Sequence, residues 1–383
     1  MAFIALLICT PVFGIGIDLY TPSLPHMNAY FGSSVSLTKL TISFFMFGAF
    51  FGMLIFGTIA DSFGRRKIMI GSLLAYIIIN VLIVFSPSMD TVIALRFLSG
   101  IAAGSVGSMN RAQATDIYSS AEMKKVSSAM TIAWGLGPIM APFIGGFLQQ
   151  YIGWQACFIF LGAYALVALS AIYFFIPETH THKHTFNKAK VLGNYKKLLT
   201  NRQFLGAIIQ SGILYMIFLY FGIVGSFYVQ DLLHYSPVVF GYLSFFIGVA
   251  YFIGTIVRRA LTSVDDSILL SISFMLLVLF NALFLAISFF VNQSLTPLML
   301  NIFIDAFLIG ILYPIYLGKT LSLFPELGGT SGAVAGASVM LIISAISFTA
   351  GFMEITTLSE FLLLFLITVM ISFTVYLFTE REN

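Results

Sequence analysis

Twelve long apolar runs divide this sequence, near residues 2–22, 36–58, 66–86, 91–113, 124–148, 154–176, 203–230, 236–257, 267–291, 296–318, 329–350 and 359–378. A bilayer core takes about 20 apolar residues per spanning helix, so each run is long enough to cross one. Composition agrees, since only 9% of the 383 residues are charged and 59% are hydrophobic. A soluble domain carries roughly 25% charged residues because its surface faces water. The fold class that follows is an all-α integral membrane protein. The first run has no basic leader and no small-residue cleavage site after it, which predicts a permanent helix and not a signal peptide.

Lys and Arg placement sets the expected direction, because inner loops of membrane proteins are enriched in both. With both termini in the cytoplasm, the inner segments hold Arg65, Arg66, Lys67, Arg111, Lys124, Lys125, Lys183, Lys188, Lys190, Lys196, Lys197, Arg202, Arg258, Arg259, Lys319 and Arg381. The outer loops hold only Lys39. A shift of the count by one helix destroys this asymmetry. The longest polar stretch, His180 to Arg202, falls between runs six and seven. The expected organisation is therefore a six-helix bundle over 1–178, a cytoplasmic linker over 179–202 and a second six-helix bundle over 203–383. A short repeat agrees with this division: Gly57-Thr58-Ile59 closes the second run and Gly254-Thr255-Ile256 closes the eighth, each followed by an arginine pair. Two such halves pack around a central cavity that opens alternately to either side.

A charge in mid-bilayer costs about 2.5–3.5 kcal/mol even on lenient insertion scales. Three residues bear that cost: Asp18 in the first run, Arg96 in the fourth and Asp305 in the tenth. Asp18 is the only acid of its run and is a candidate for taking up and releasing a proton. Its plainer reading is an acid at the outer interface, held by Tyr20 and the turn prolines. Arg96 follows an outer loop by one or two turns, so it either snorkels to the interface or faces the cavity and tunes a carboxylate or a substrate. Asp305 has Asn301 one turn before it, and the pair serves either a proton or a structural hydrogen bond.

At the second inner loop the chain reads Gly57-Thr58-Ile59-Ala60-Asp61-Ser62-Phe63-Gly64-Arg65-Arg66-Lys67. This resembles the signature loop of the major facilitator superfamily, G-x-L-x-D-x-x-G-R-R-x. Glycine there permits a tight turn and close helix approach. Gly57, Asp61, Gly64, Arg65 and Arg66 are the expected conformational latch, with Asp61 pairing with the arginines or a helix N-terminus. Arg96-Phe97-Leu98-Ser99-Gly100, then Gly104, Gly107 and Arg111, is similar to the family's fourth-helix motif, whose arginine is linked with proton coupling. Trp134-Gly135-Leu136-Gly137-Pro138, continuing to Pro142, Gly145 and Gly146, is similar to the fifth-helix motif of the drug:proton antiporters. There the glycines and prolines bend the helix and allow close packing across the halves. The segment Asp18-Leu19-Tyr20-Thr21-Pro22-Ser23-Leu24-Pro25 and the run Arg111 to Asp116 resemble the bicyclomycin-resistance (Bcr/CflA) branch. In the second half the loop signature has decayed, with Arg258 at the place of Asp61.

The resemblance implies a major-facilitator-type fold in the bacterial inner membrane and proton-coupled export of drugs or siderophore-like compounds. Small molecules, protons and the lipid bilayer are the expected partners. A formal net charge of +3 is too small to argue for nucleic acid. One chain supplies both halves of the cavity, so it is expected to act as a monomer. Two readings compete: proton-driven uptake of a nutrient or metal chelate by the same fold, and a non-transporting sensor. No catalytic or nucleotide-binding motif of the H-E-x-x-H, G-x-S-x-G or G-x-x-x-x-G-K-[ST] kind is found, so neither an enzyme nor an ATP-driven pump is expected. No cofactor is expected either. Cys9 and Cys157 offer no metal spacing and no disulfide framework. His180, His182 and His184 alternate in the linker, which reads as a solvated segment before a metal site.

Overall fold

The computed structural model describes residues 1–56, 64–179, 188–324 and 327–380. Twelve helices long and apolar enough to cross a membrane account for most of them. They are α1 (Ala2–Phe31), α2 (Val35–Phe56), α3 (Arg65–Val84), α4 (Met89–Ile117), α5 (Ala121–Tyr151) and α6 (Trp154–Phe175). The last six are α7 (Arg202–Leu232), α8 (Pro237–Ala260), α9 (Asp266–Ser288), α10 (Leu295–Ser322), α11 (Thr330–Gly351) and α12 (Leu358–Thr379). A further helix, Lys188–Leu199, precedes α7. All twelve expected runs are helices, though α1 runs nine residues beyond the expected end at 22. The spans alternate in direction, so α1 begins and α12 ends on one face of the bundle, here the terminal face. The other is the distal face.

Proline punctuates α1. It is helical over Ala2–Cys9, resumes at Val12–Asp18 after Pro11, tightens to a 3-10 turn over Thr21–Ser23 at Pro22, and continues as Leu24–Phe31. Pro has no N–H to give and its ring clashes with the preceding turn, so each interruption falls where a proline does. Thr21 recovers part of the loss by donating its hydroxyl to the Asp18 carbonyl at 2.8 Å. The second half of α7 is wound more widely, with π-helical turns over Phe221–Gly225 and Tyr228–Leu232. Such turns cluster at functional sites in other helices. α1 and α7, the first helix of each group of six, thus both depart from regular winding, as does α2 at its π-helical turn Gly52–Phe56.

Small residues set which helices approach most closely. A Cβ on Gly48 or Gly52 of α2 would strike the α4 backbone at Phe97 and Ile101, and one on Gly100 or Gly104 of α4 would strike α2 at Phe45 and Ala49. Four glycines in two facing rows bring these backbones into contact, which supplies the dispersion energy that lipid cannot replace. The same device recurs between α8 and α10, where Gly254 faces Phe307 and Gly310 faces Tyr251.

Candidate functional site

Asp18 ends the second helical segment of α1 and is 5% exposed. It lines a cavity of about 20 Å³ with Thr21, Pro138 and Pro142 of α5, Phe218 and Gly222 of α7, and Ser244 of α8. That is room for about one water. The cavity lies where four helices converge, two from the first six spans and two from the last six. Asp18 Oδ2 has no hydrogen-bond partner among the described residues. The expected alternative, an acid at the interface, does not match this burial.

The α5 glycines and prolines build the cavity wall. Gly137 packs on Pro11 and Ile15, Pro138 on Gly14, and Gly145 on the Leu19 backbone, all in α1. On the other side the Pro142 carbonyl lies against Gly241 and Gly146 against Pro237, both in α8. Gly135 meets no neighbour within contact distance. Gly145 and Gly146 are consecutive, yet one serves α1 and the other α8. The motif therefore clasps α5 between the two halves of the chain, at the level of Asp18.

Arg96 lies next to this site without entering it. Its side chain is fully buried and its Nη2 donates to the Gly16 carbonyl of α1 at 2.9 Å. Two rings cover the guanidinium, Phe45 at 4.1 Å and Tyr20 at 4.4 Å from Cζ to the ring centroid. A cation held against desolvated ring faces gains about 2 kcal/mol or more. Tyr20 is in turn fixed by its hydroxyl, 3.0 Å from Thr41 Oγ1. Asp18 and Arg96 share α1 as a scaffold but form no ion pair among the described residues. Tyr20 was expected beside Asp18 and stands instead over Arg96, while Phe45 and Thr41 carried no signal in the sequence, where rings and hydroxyls are abundant.

Asp305 stands elsewhere. It is 1% exposed and accepts from Asn281 Nδ2 of α9 at 2.7 Å and from Asn301 Nδ2 of α10 at 3.1 Å. Asn301 Nδ2 also donates to Asn281 Oδ1 at 3.1 Å. Both amides aim donors at the carboxylate, so the network welds α9 to α10. It does not line the Asp18 cavity.

Of the expected latch, Gly57 and Asp61 lie outside the described residues, as do His180, His182 and His184. The arginines are described. Arg65 donates to the Ala112 carbonyl at 2.8 Å and to Asp116 Oδ1 at 2.6 Å, both on α4. Glu178, just past α6, accepts the backbone N–H of Arg65 at 3.0 Å and that of Arg66 at 3.4 Å, which places its charge on the N-terminus of α3. Gly64 has φ +99°, and a Cβ there would come within 2.7 Å of the Glu178 carboxylate, so both the backbone and the neighbour require glycine. Arg66 reaches the Tyr173 carbonyl at 2.7 Å. The arginine loop thus holds α3 to α4 and α6. The sequence offered no signal for Glu178, which follows a proline outside every motif.

The chain belongs to the Major Facilitator Superfamily, which it matches over residues 6–348. It is a transporter and a multi-pass membrane protein. An uncharacterized transporter of Rickettsia bellii is 27% identical over 91% of this chain and 89% of that one. A bicyclomycin resistance protein homolog of Haemophilus influenzae is 30% identical over 43% of this chain and 42% of that one. Among solved structures, a D-xylose-proton symporter superposes with a TM-score of 0.76 at 17% identity, covering 99% of this chain and 96% of the symporter. That likeness establishes the fold.

Proposed function

We propose that the chain exports small organic molecules in exchange for protons across a bacterial inner membrane, with Asp18 as the exchanging group. One observation carries the reading: a buried carboxyl with an unpartnered oxygen faces a cavity shared by helices from both ends of the chain. An ionised carboxylate in an apolar enclosure is tolerated only when something neutralises it. A proton does so, and so does a substrate that donates hydrogen bonds or carries positive charge. The two therefore alternate on Asp18. The carrier closes and turns over when either is bound and stalls when neither is, which makes the cycle an exchange.

Arg96, in its aromatic enclosure, is assigned to holding α1 in place through the Gly16 carbonyl, two residues before Asp18. Asp305 is assigned to holding α9 and α10 together. The chain works as one polypeptide, with 1–178 and 203–383 as two six-helix halves joined by 179–202. The terminal face is cytoplasmic, on the strength of the Lys and Arg bias. Likeness to a bicyclomycin resistance homolog favours drug-like cargo.

Inverted vesicles with a proton gradient, carrying this protein or Asp18→Asn, test the reading with a panel of dyes, bicyclomycin-like drugs and siderophores. Accumulation is expected from the unaltered protein and at background level from the variant. Gradient-driven accumulation that persists undiminished in Asp18→Asn places the coupling group elsewhere. Movement in the opposite direction turns the assignment to uptake.

A further inference from the structure

Two seams join the first six spans to the last six, and they are built differently. The α5–α8 seam is backbone against glycine, as described above. The α2–α11 seam is stitched by hydrogen bonds. Lys39 and Ser43 stand one turn apart on one face of α2, 3% and 1% exposed. Lys39 Nζ donates to the Met353 carbonyl, two residues past the end of α11, at 2.9 Å. The Ser43 hydroxyl accepts from Ser347 at 2.7 Å, and the Ser43 carbonyl accepts from Ser344 at 2.9 Å. Leu40 and the Cβ of Lys39 pack on Gly351.

A lysine at this place needs a reason. It lies in the distal half of a membrane helix, withdrawn from water, and Phe227 of α7 lies 5.8 Å from its Nζ. Its hydrogen bond goes to the carboxyl end of α11, where helix carbonyls present partial negative charge. Glu354, the next residue after Met353, adds its field. All three hydrogen bonds join α2 to α11 or the residues just past it, one donated by α2 and two by α11, across the boundary between the two groups of six spans. A fourth distal hydrogen bond, Gln230 Nε2 of α7 to the Pro22 carbonyl of α1 at 3.0 Å, crosses the same boundary.

We infer that Lys39 and Ser43 form the clasp that holds the distal mouth shut, and that opening there requires the Lys39 ammonium to leave the α11 terminus for water. In the closed form the ammonium gains the net worth of a charged hydrogen bond, and in the open form water solvates it and offsets most of that loss, so a single contact weights the two forms without locking either. The clasp thus tunes the balance between the two open states. It acts by positioning α2 against α11 and touches no cargo. The inference rests on the transporter reading but not on the identity of the proton-coupling group.

The test is a distance measurement in lipid nanodiscs, with spin labels at Phe85→Cys after α3 and Phe290→Cys after α9, both at the distal face and 77% and 90% exposed. Cys9 and Cys157 are buried and stay unlabelled. Lys39→Met is expected to raise the ratio of the long to the short distance by about tenfold, the effect of losing one charged hydrogen bond. Lys39→Arg should restore the short distance. An unchanged distribution in Lys39→Met and in Ser43→Ala overturns the clasp. A second experiment does not depend on those variants folding: Ser43→Cys with Ser347→Cys places two thiols where hydroxyls now meet. Once oxidised, the pair should hold only the short distance and stop transport until reduced. Full transport with the cross-link complete also overturns the inference. Because the distances need no substrate, failure of proton exchange at Asp18 leaves this result readable.

Discussion

Asn80 and Asn281 stand equally far from the first residues of their helices, α3 (Arg65) and α9 (Asp266), and each donates to the carbonyl one turn earlier, at 2.8 Å to Tyr76 and 2.9 Å to Leu277. Both are fully buried. The third helix of each group of six thus carries an asparagine at the same place, with different surroundings. Asn281 meets Asp305, whereas Asn80 lies one turn from Tyr76, whose hydroxyl crowds the site of a Cβ on Gly16. The first half has built around Arg96 and the second around a carboxylate.

Asp305 tests that division. Asp305→Ala removes one of the two acceptors of each buried amide, and an N–H left unsatisfied in this way costs about 1–3 kcal/mol. Thermal unfolding in detergent should show a clear loss of stability, with Asp305→Asn intermediate. Proton exchange by the folded fraction of Asp305→Asn should stay within about twofold of the unaltered protein, a ΔΔG‡ under ~0.5 kcal/mol. Abolished exchange in a stable Asp305→Asn protein moves the coupling site to α10.

The rings around Arg96 make a second prediction. Tyr20→Phe keeps the face over the guanidinium and loses the bond to Thr41, and should reduce transport by no more than a few-fold, about 1 kcal/mol for one neutral hydrogen bond. Tyr20→Leu removes one of the two rings over the guanidinium and leaves only Phe45 against the buried cation. Its pH profile for transport should shift along with its rate, which a purely structural defect would not produce.

Glu178 offers a third. Glu178→Gln keeps the acceptor geometry at the α3 N-terminus but removes the charge, worth about 0.3–1 kcal/mol at such a position. A modest loss of thermal stability is expected. Glu178→Ala should cost more, and Gly64→Ala more again, since its Cβ would enter the carboxylate. Equal stability of all three variants would falsify the capping role.

Close approach of α2 and α4 gives the fourth. Gly48→Val and Gly100→Val place branched side chains on facing backbones, so neither should yield folded protein after membrane extraction, as judged by size-exclusion behaviour. Gly71→Val, where a Cβ meets nothing, is the control and should fold normally.

The sequence displayed the twelve spans plainly, because lipid demands a length and a polarity that few other environments impose. It also displayed Asp18, Arg96 and Asp305, since a charge in an apolar run stands out. What it concealed was partnership. That Asp305 answers to Asn281 depends on how α9 lies on α10, and that Arg65 answers to Asp116 depends on α3 lying on α4. Nor does Lys39 reveal in one dimension that its partner is a backbone carbonyl more than three hundred residues away. A carbonyl has no residue type to recognise, and Gly16 and Met353 both act through theirs. The extension of α1 past residue 22 was hidden by the same prolines that mark its breaks.

The cavity at Asp18 holds about one water, too little for any drug-like compound. On the proposed reading, cargo must therefore part helices before it can touch the carboxyl, and part of its binding free energy goes into that work. Measured affinity becomes the intrinsic affinity scaled by the fraction of protein already parted. Changes along the α2–α11 seam should then rescale the affinities of all compounds by one common factor. Changes among the residues that line the cavity should instead reorder them.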